Sequence, residues 1–359
     1  MIPTIAFFNS QGGVGTTSLL YHLAWMYAEL GHRVLAVDLD PQASLTAAMV
    51  DEERLEVLWS PGGSDTIYGA ALPLIDGAGQ SEPPHRESIS ANLELVVGDL
   101  SVSRLEDELA VQWADCLDGK GRAFRATAAF HTCIRSAAQA STADLVLVDL
   151  GPTLGAINRA ALVACQHIVV PVAPDLFALQ GLRVLGPVVR KWNDEWHERL
   201  ARRPVSELVV PAHTTSLAGY VVMQSQVQLN RPAVSPNGWL QPPVVAPAAR
   251  HPAGPATLRL RDWMSVIPDV YATAAQESNP APHPTSDPRC LGMLKPHSSL
   301  LSLAREARKP VFRLRPADGA LGAHAAAARQ ARKEFEDVAD RVAAVTWRLD
   351  KQSRPGRPT

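Results

Sequence analysis

Three short stretches carry groups that suit phosphate and metal chemistry. The first is Gln11, Gly12, Gly13, Val14, Gly15, Thr16, Thr17 and Ser18. A glycine-rich turn ahead of a helix lets successive backbone N–H groups point at phosphate oxygens, and the helix dipole adds positive potential there. Side chains at the glycine positions would block that close approach. Thr17 stands where such a loop places a hydroxyl on Mg²⁺. The second stretch, residues 38–42 (DLDPQ), offers two carboxylates, Asp38 and Asp40. One can orient an attacking water while the other supports the water shell of a metal; the same residues also suit a plain surface turn. The third is Asp149, directly after the apolar run 145–148. An Asp that ends a buried strand beside a phosphate loop can hold Mg²⁺ through water, and it can equally serve as a loop cap.

These groups need a scaffold that delivers them to one edge. Residues 2–9 form a short apolar run that predicts a buried strand, and residues 19–30 show helical spacing before the natural stop at Gly31. Further apolar runs at 33–37, 93–97, 145–148, 168–172, 219–223 and 290–294 predict strands. Strands alternating with helical stretches imply an α/β fold, mostly a parallel sheet with helices on both faces. In such sheets ligands gather at the carboxyl ends of the strands, where all three motifs fall. Residues 51–90 read as irregular. Residues 231–288, rich in Pro, Ala and Ser, read as an insertion with one helix near 261–275. A last helix is expected at 320–347 and a disordered tail at 349–359, so that 1–348 makes one interrupted domain.

Composition narrows the classes. The chain has 359 residues, 46% hydrophobic and 19% charged, enough for a sizeable core. The net charge of −2 points to no partner, but residues 289–359 hold 15 Lys and Arg against 7 Asp and Glu. That basic end suits a polyanion, with Arg305, Arg308, Lys309, Arg329, Arg332 and Lys333 as candidate contacts to non-specific DNA; solvated helix faces are the plainer reading. Cys116, Cys133, Cys165 and Cys290 have no metal or redox spacing and read as buried thiols of a cytoplasmic protein. No apolar run reaches the roughly 18–20 residues of a membrane span. The sequence shows no signal peptide, and residues 353–359, rich in Pro and Gly, cannot form a membrane-anchoring helix.

Taken together, the motifs resemble the ParA/MinD/Soj family of deviant Walker A P-loop ATPases. The family's loop reads KGGVGKT[TS], its second strand ends in DxDPQ and its Walker B strand in DxPP. Residues 152–155, Asn158, Pro171, Val172 and 178–182 (ALQGL) resemble the stretch that follows Walker B. Residues 299–311, with Lys309 and Pro310, resemble the family's late segment before the final helix. The resemblance covers about 1–225 and 289–345. It implies a P-loop fold, ATP with Mg²⁺, a homodimer gated by nucleotide, and a partner protein that stimulates or reads the switch.

Three positions depart from the family. The loop lysine that reaches across the dimer is Gln11, the lysine on the β and γ phosphates is Thr16, and the first Pro of DxPP is Gly151. A hydrogen bond to a charged group contributes roughly 1.5–3 kcal/mol, so one loss weakens binding about tenfold to a hundredfold. Hydrolysis depends more heavily on charge near the transferring phosphoryl group. The expectation is therefore a switch in DNA partition or intracellular positioning whose hydrolysis is weak or absent, with Asp40 as the water-positioning residue if turnover remains. The BcsQ branch, associated with cellulose secretion, also resembles a GGVGTT[TS] loop, which leaves two alternatives. One is an active ATPase with a substitute cation; the other is a regulatory scaffold that binds no nucleotide.

Overall fold

A computed structural model describes residues 2–60, 64–77, 82–204, 209–223, 256–278 and 280–347. Residues 231–255 of the segment read as an insertion, and the tail 349–359, lie outside the described residues. The strands are β1 Thr4–Phe7, β2 Val34–Asp38, β3 Glu87–Ser90, β4 Leu93–Val96, β5 Leu145–Asp149, β6 His167–Val172, β7 Ser216–Met223 and β8 Cys290–Leu294. They form one sheet in the order β3-β4-β2-β5-β1-β6-β7-β8. Every neighbouring pair is parallel except the β3–β4 edge.

The helices are α1 Thr16–Glu29, α2 Ser44–Met49, α3 Glu52–Leu58, α4 Ile67–Asp76, α5 Glu106–Asp115 and α6 Gly121–Thr127. They continue with α7 Ala129–Ala140, α8 Ala156–Val163, α9 Leu176–Ala201, α10 Ala256–Ala275, α11 Ser298–Ala307 and α12 Ala323–Thr346. They cover both faces, which explains why the central strands β1, β2 and β5 are buried at every position. In β1, Ile5 and Phe7 face a core shared with α1 and α12, whereas Ala6 joins the opposite core with α4, α7, α8, α9 and α10. Helix α1 is buried along most of its length. Tyr27 donates its hydroxyl proton to the Ala339 carbonyl, which ties α1 to α12.

Two regions differ from the sequence reading. Residues 51–90, read as irregular, hold α3, α4 and β3. Each helix there has a side-chain cap: Asp51 accepts from Arg54 N–H and Thr66 from Gly69 N–H. Gly77, at φ 79°, ends α4. The helix expected at 261–275 begins earlier, at Ala256, and packs into the core: Ile267, Val270 and Tyr271 are buried, and Arg190 donates to the Ala274 carbonyl. All four cysteines are buried free thiols. Among the described residues, no helix is long and apolar enough to cross a membrane.

Candidate functional site

Parallel pairing sets the three motifs side by side. Phe7 at the end of β1 stands in register with Asp149 of β5, and Asp149 with Asp38 of β2. The loop leaving β1 turns back over this edge before α1 begins. Gly13 and Gly15 adopt φ of 80° and 91°, left-handed geometry that favours glycine. A Cβ on Gly13 would project into space with nothing within 4 Å, as a phosphate cradle requires. Asn9 braces the turn, donating to the Pro171 carbonyl and accepting from the Gln11 N–H.

The loop lines one wall of a cleft of about 720 Å³. Gln11, Gly12, Gly13, Gly15, Thr16, Thr17 and Ser18 all face it, while Val14 turns inward to the core. Asp40, Gln42, Ser44 and Pro152 form another side. A further wall is Leu301, Ala304, Arg305, Arg308 and Lys309, from α11 and the turn after it.

The three carboxylates differ in their surroundings. Asp149 is fully buried and neither oxygen has a hydrogen-bond partner of normal geometry. Burial drives its pKa well above the usual range and Asp38 adds to the rise; the nearby Thr17 hydroxyl and Leu150 N–H oppose it without meeting hydrogen-bond geometry. A buried polar group without a partner is costly, which makes Asp149 the group in the site most in need of one. Asp38 is equally buried but satisfied. Its Oδ2 accepts from the Thr46 N–H and hydroxyl, both at 2.8 Å, and its Oδ1 from the Asp40 N–H. Burial raises its pKa to about 6.

Asp40 borders the cleft and is 6% exposed. Its Oδ1 accepts from the Gln42 N–H at 3.0 Å, and burial raises its pKa. A Cβ at residue 151 would lie 2.7 Å from that same oxygen. Gly151, one of the departures noted in the sequence, is thus coupled to the placement of Asp40. Asn158 holds the turn beneath by donating to the Gly151 and Thr153 carbonyls. Glu106 accepts from the Ala156 and Ile157 N–H groups at the start of α8.

This donor set fits a metal-bound phosphate chain. Backbone N–H groups and an open glycine position suit the phosphates, and an unpartnered buried carboxylate near a threonine hydroxyl suits a hydrated Mg²⁺. Asp38 lies behind Asp149 with both oxygens engaged, the position of a brace for the site's acidic edge. Among the described residues no group of three or more His, Cys, Asp or Glu can hold a metal unaided.

The profile of the AAA domain family matches residues 2–202, over half of the chain. The chain belongs to this family, in its ParA type. It is 30% identical over 183 residues to a putative replication protein A of Rhizobium rhizogenes, covering 50% of this chain and 42% of that one. It is 26% identical over 201 residues to the chromosome partitioning protein ParA of Caulobacter vibrioides, covering 55% and 66%. The chain thus spans about half the length of the curated relatives it matches. Solved structures extend the likeness in fold. Protein DIP2308 from Corynebacterium diphtheriae superposes with a TM-score of 0.66 at 20% identity, covering 96% of this chain and 99% of that one. The ATP complex of a McdA variant from Cyanothece gives 0.59 at 15% identity, covering 97% and 99%. The fold of this ParA-type chain is that of the P-loop NTPases, as its loop and strand order imply.

Of the six basic residues named for DNA contact, Arg305, Arg308 and Lys309 line the cleft. Arg332 pairs with Glu29, leaving Arg329 and Lys333 exposed on α12. Sequence reasoning missed the cleft role of α11. The available signal was the spacing of 301, 304 and 305, which share one helix face.

Proposed function

We propose that this ParA-type chain binds ATP with Mg²⁺ in the cleft and acts as a nucleotide-gated dimeric switch in DNA partition or intracellular positioning, with weak or absent hydrolysis. The observation that carries the reading is Asp149, a buried carboxylate without a partner behind a glycine cradle. Residues 12–17 bind the phosphates through backbone N–H groups. Thr17 and Asp149 hold Mg²⁺, which when bound neutralises phosphate charge; Asp38 keeps the acidic edge in register. Asp40 accepts a hydrogen bond from a water at the cleft wall. Gln11 and Thr16 bring no charge, which is why binding outlasts turnover in this reading.

The dimeric part draws support from α9. Leu176, Phe177 and Val184 are exposed there, and Gly181 lies against Asn9, Ser10 and Gln11 of the loop. A second copy placed across the loop would cover this apolar strip. DNA contact, the other partner reading, rests on Arg329 and Lys333; a partner protein and a cytoplasmic setting come only from the family likeness. Calorimetric titration of ATP with Mg²⁺ tests the core of the proposal. Saturable binding that Asp149→Asn weakens in Mg²⁺, but not in chelator, is expected. Absence of ATP binding refutes the switch and favours a scaffold that binds no nucleotide. Turnover lost on Asp40→Ala favours the active ATPase.

A further inference from the structure

We infer that Arg305 is the cation that faces the nucleotide phosphates, filling the charge role that Gln11 and Thr16 leave empty. This rests on the nucleotide reading above and deepens it.

The walls of the cleft differ in charge. Its loop side offers neutral donors and the Asp40 carboxylate, with Asp149 and Asp38 buried behind. A polyphosphate entering there meets acidic groups and, from the loop itself, no cation. The charge comes from the α11 wall. Leu301, Ala304 and Arg305 stand at i, i+3 and i+4 on α11, so one helix face lines the cleft, and Arg308, the left-handed residue that caps the helix, joins the lining. Lys309 follows just after the helix.

Two of the three cations are committed. Arg308, left-handed at φ 48°, donates its Nη1 proton to the Val50 carbonyl at 2.7 Å and so ties α11 to the end of α2. Lys309 donates to Asp318 Oδ1 at 2.7 Å. Arg305 is exposed, and its side chain has no ion pair or hydrogen bond among the described residues. An unpaired guanidinium lining the same cleft as a phosphate cradle is suited to a bidentate phosphate contact. Leu301, 37% exposed, together with Ala47 and Ala48 in the same lining, makes this mouth apolar enough to receive a planar base. The anchoring of Arg308 and Lys309 holds the α11 face, and with it Arg305, against this mouth.

The test is calorimetric titration of the full chain with ATP–Mg²⁺ and, separately, with adenosine. Arg305→Ala is expected to weaken ATP binding by about tenfold to a hundredfold, and adenosine binding by less than about threefold. Arg305→Lys should retain much of the affinity, and Thr16→Lys should restore it in the Arg305→Ala background. Arg329→Ala, on α12 away from the cleft, is the control, and a thermal melt checks that each variant is folded. If the wild type binds ATP and Arg305→Ala binds it within about twofold, the assignment of Arg305 fails while the nucleotide reading stands. Equal losses for ATP and adenosine also overturn the charge role. If the wild type binds no ATP, the nucleotide reading itself fails, and the assignment with it.

Discussion

Replacing Gly151 with Ala probes whether this glycine and Asp40 form one unit. The added Cβ would lie 2.7 Å from Asp40 Oδ1, 3.4 Å from its Cγ and 3.5 Å from Pro41 Cδ. Only the first contact is intolerable, and it involves the end of a side chain, so the carboxylate must swing away. In doing so it gives up the Gln42 N–H at 3.0 Å. Losing or stretching one hydrogen bond to a charged group, partly regained from water at the cleft, costs about 1–2 kcal/mol. With roughly 2.1 cal/mol/K of unfolding entropy per residue, a chain of 359 residues shifts in Tm by about 1.3 °C per kcal/mol, so a fall of about 1–3 °C is expected.

The decisive measurement is a double-mutant cycle by thermal melting at neutral pH. Asp40→Ala removes the atom that the new methyl group would strike. In that background Gly151→Ala should cost little, because the Pro41 contact is ordinary, and the coupling between the two changes should exceed about 0.5 kcal/mol. If Gly151→Ala costs the same in both backgrounds, the two residues are independent and the departure at 151 has nothing to do with Asp40.

Asp149→Asn should stabilise the nucleotide-free protein by on the order of 1 kcal/mol at a pH high enough for the carboxylate to be charged, since it removes a buried charge without a partner. The same variant should lose the stabilisation that ATP adds in Mg²⁺; unchanged stability of the free protein would mean that Asp149 is already neutral. His22 is fully buried, donates from Nδ1 to the Ser18 carbonyl and accepts at Nε2 from the Val311 N–H. Burial lowers its pKa to about 4, so its contribution is present above the unfolded value near 6.5 and is lost as pH falls toward 4. The full linkage is on the order of 3 kcal/mol. His131, whose pKa burial also lowers to about 4, acts in the same direction, and Asp38 in the opposite one between about 4 and 6. His22→Gln should therefore flatten the acid loss in Tm rather than abolish it, and an equal loss in both proteins would exclude His22 as a contributor.

The site was legible where chemistry forces residue types onto strand ends. Gly13 and Gly15 must have positive φ, and Asp38 and Asp149 end strands that pair in register, so local sequence carries the information. The ranking of the acids was not legible. Asp38 and Asp149 look alike in sequence, yet Thr46 satisfies one and leaves the other unpaired, and that depends on where α2 packs. Residues 51–90 hid their helices because each is only a few turns long, with caps at Asp51 and Thr66 set among Gly and Pro. Helix α10 was legible at 261–275, where Ile267, Val270 and Tyr271 have helical spacing, but its start at Ala256 was obscured by a Pro-rich neighbourhood.

The α11 wall of the cleft was the least legible part, and it changes the meaning of the lysine losses. Sequence alone treats Gln11 and Thr16 as subtractions from a phosphate site. The topology brings α11, nearly 300 residues later, into the same cleft through the β7–β8 pairing and the turn after β8. A loop lysine is fixed to the cradle and is present whenever the fold is. A cation on α11 reaches the same cleft only while α11 keeps its place, which Arg308 on Val50 and Lys309 on Asp318 maintain. In the proposed reading, charge moved from the loop to that wall makes nucleotide binding depend on the position of a separate element. That suits a switch better than a fast hydrolase, because the wall can then report whether the cleft is filled.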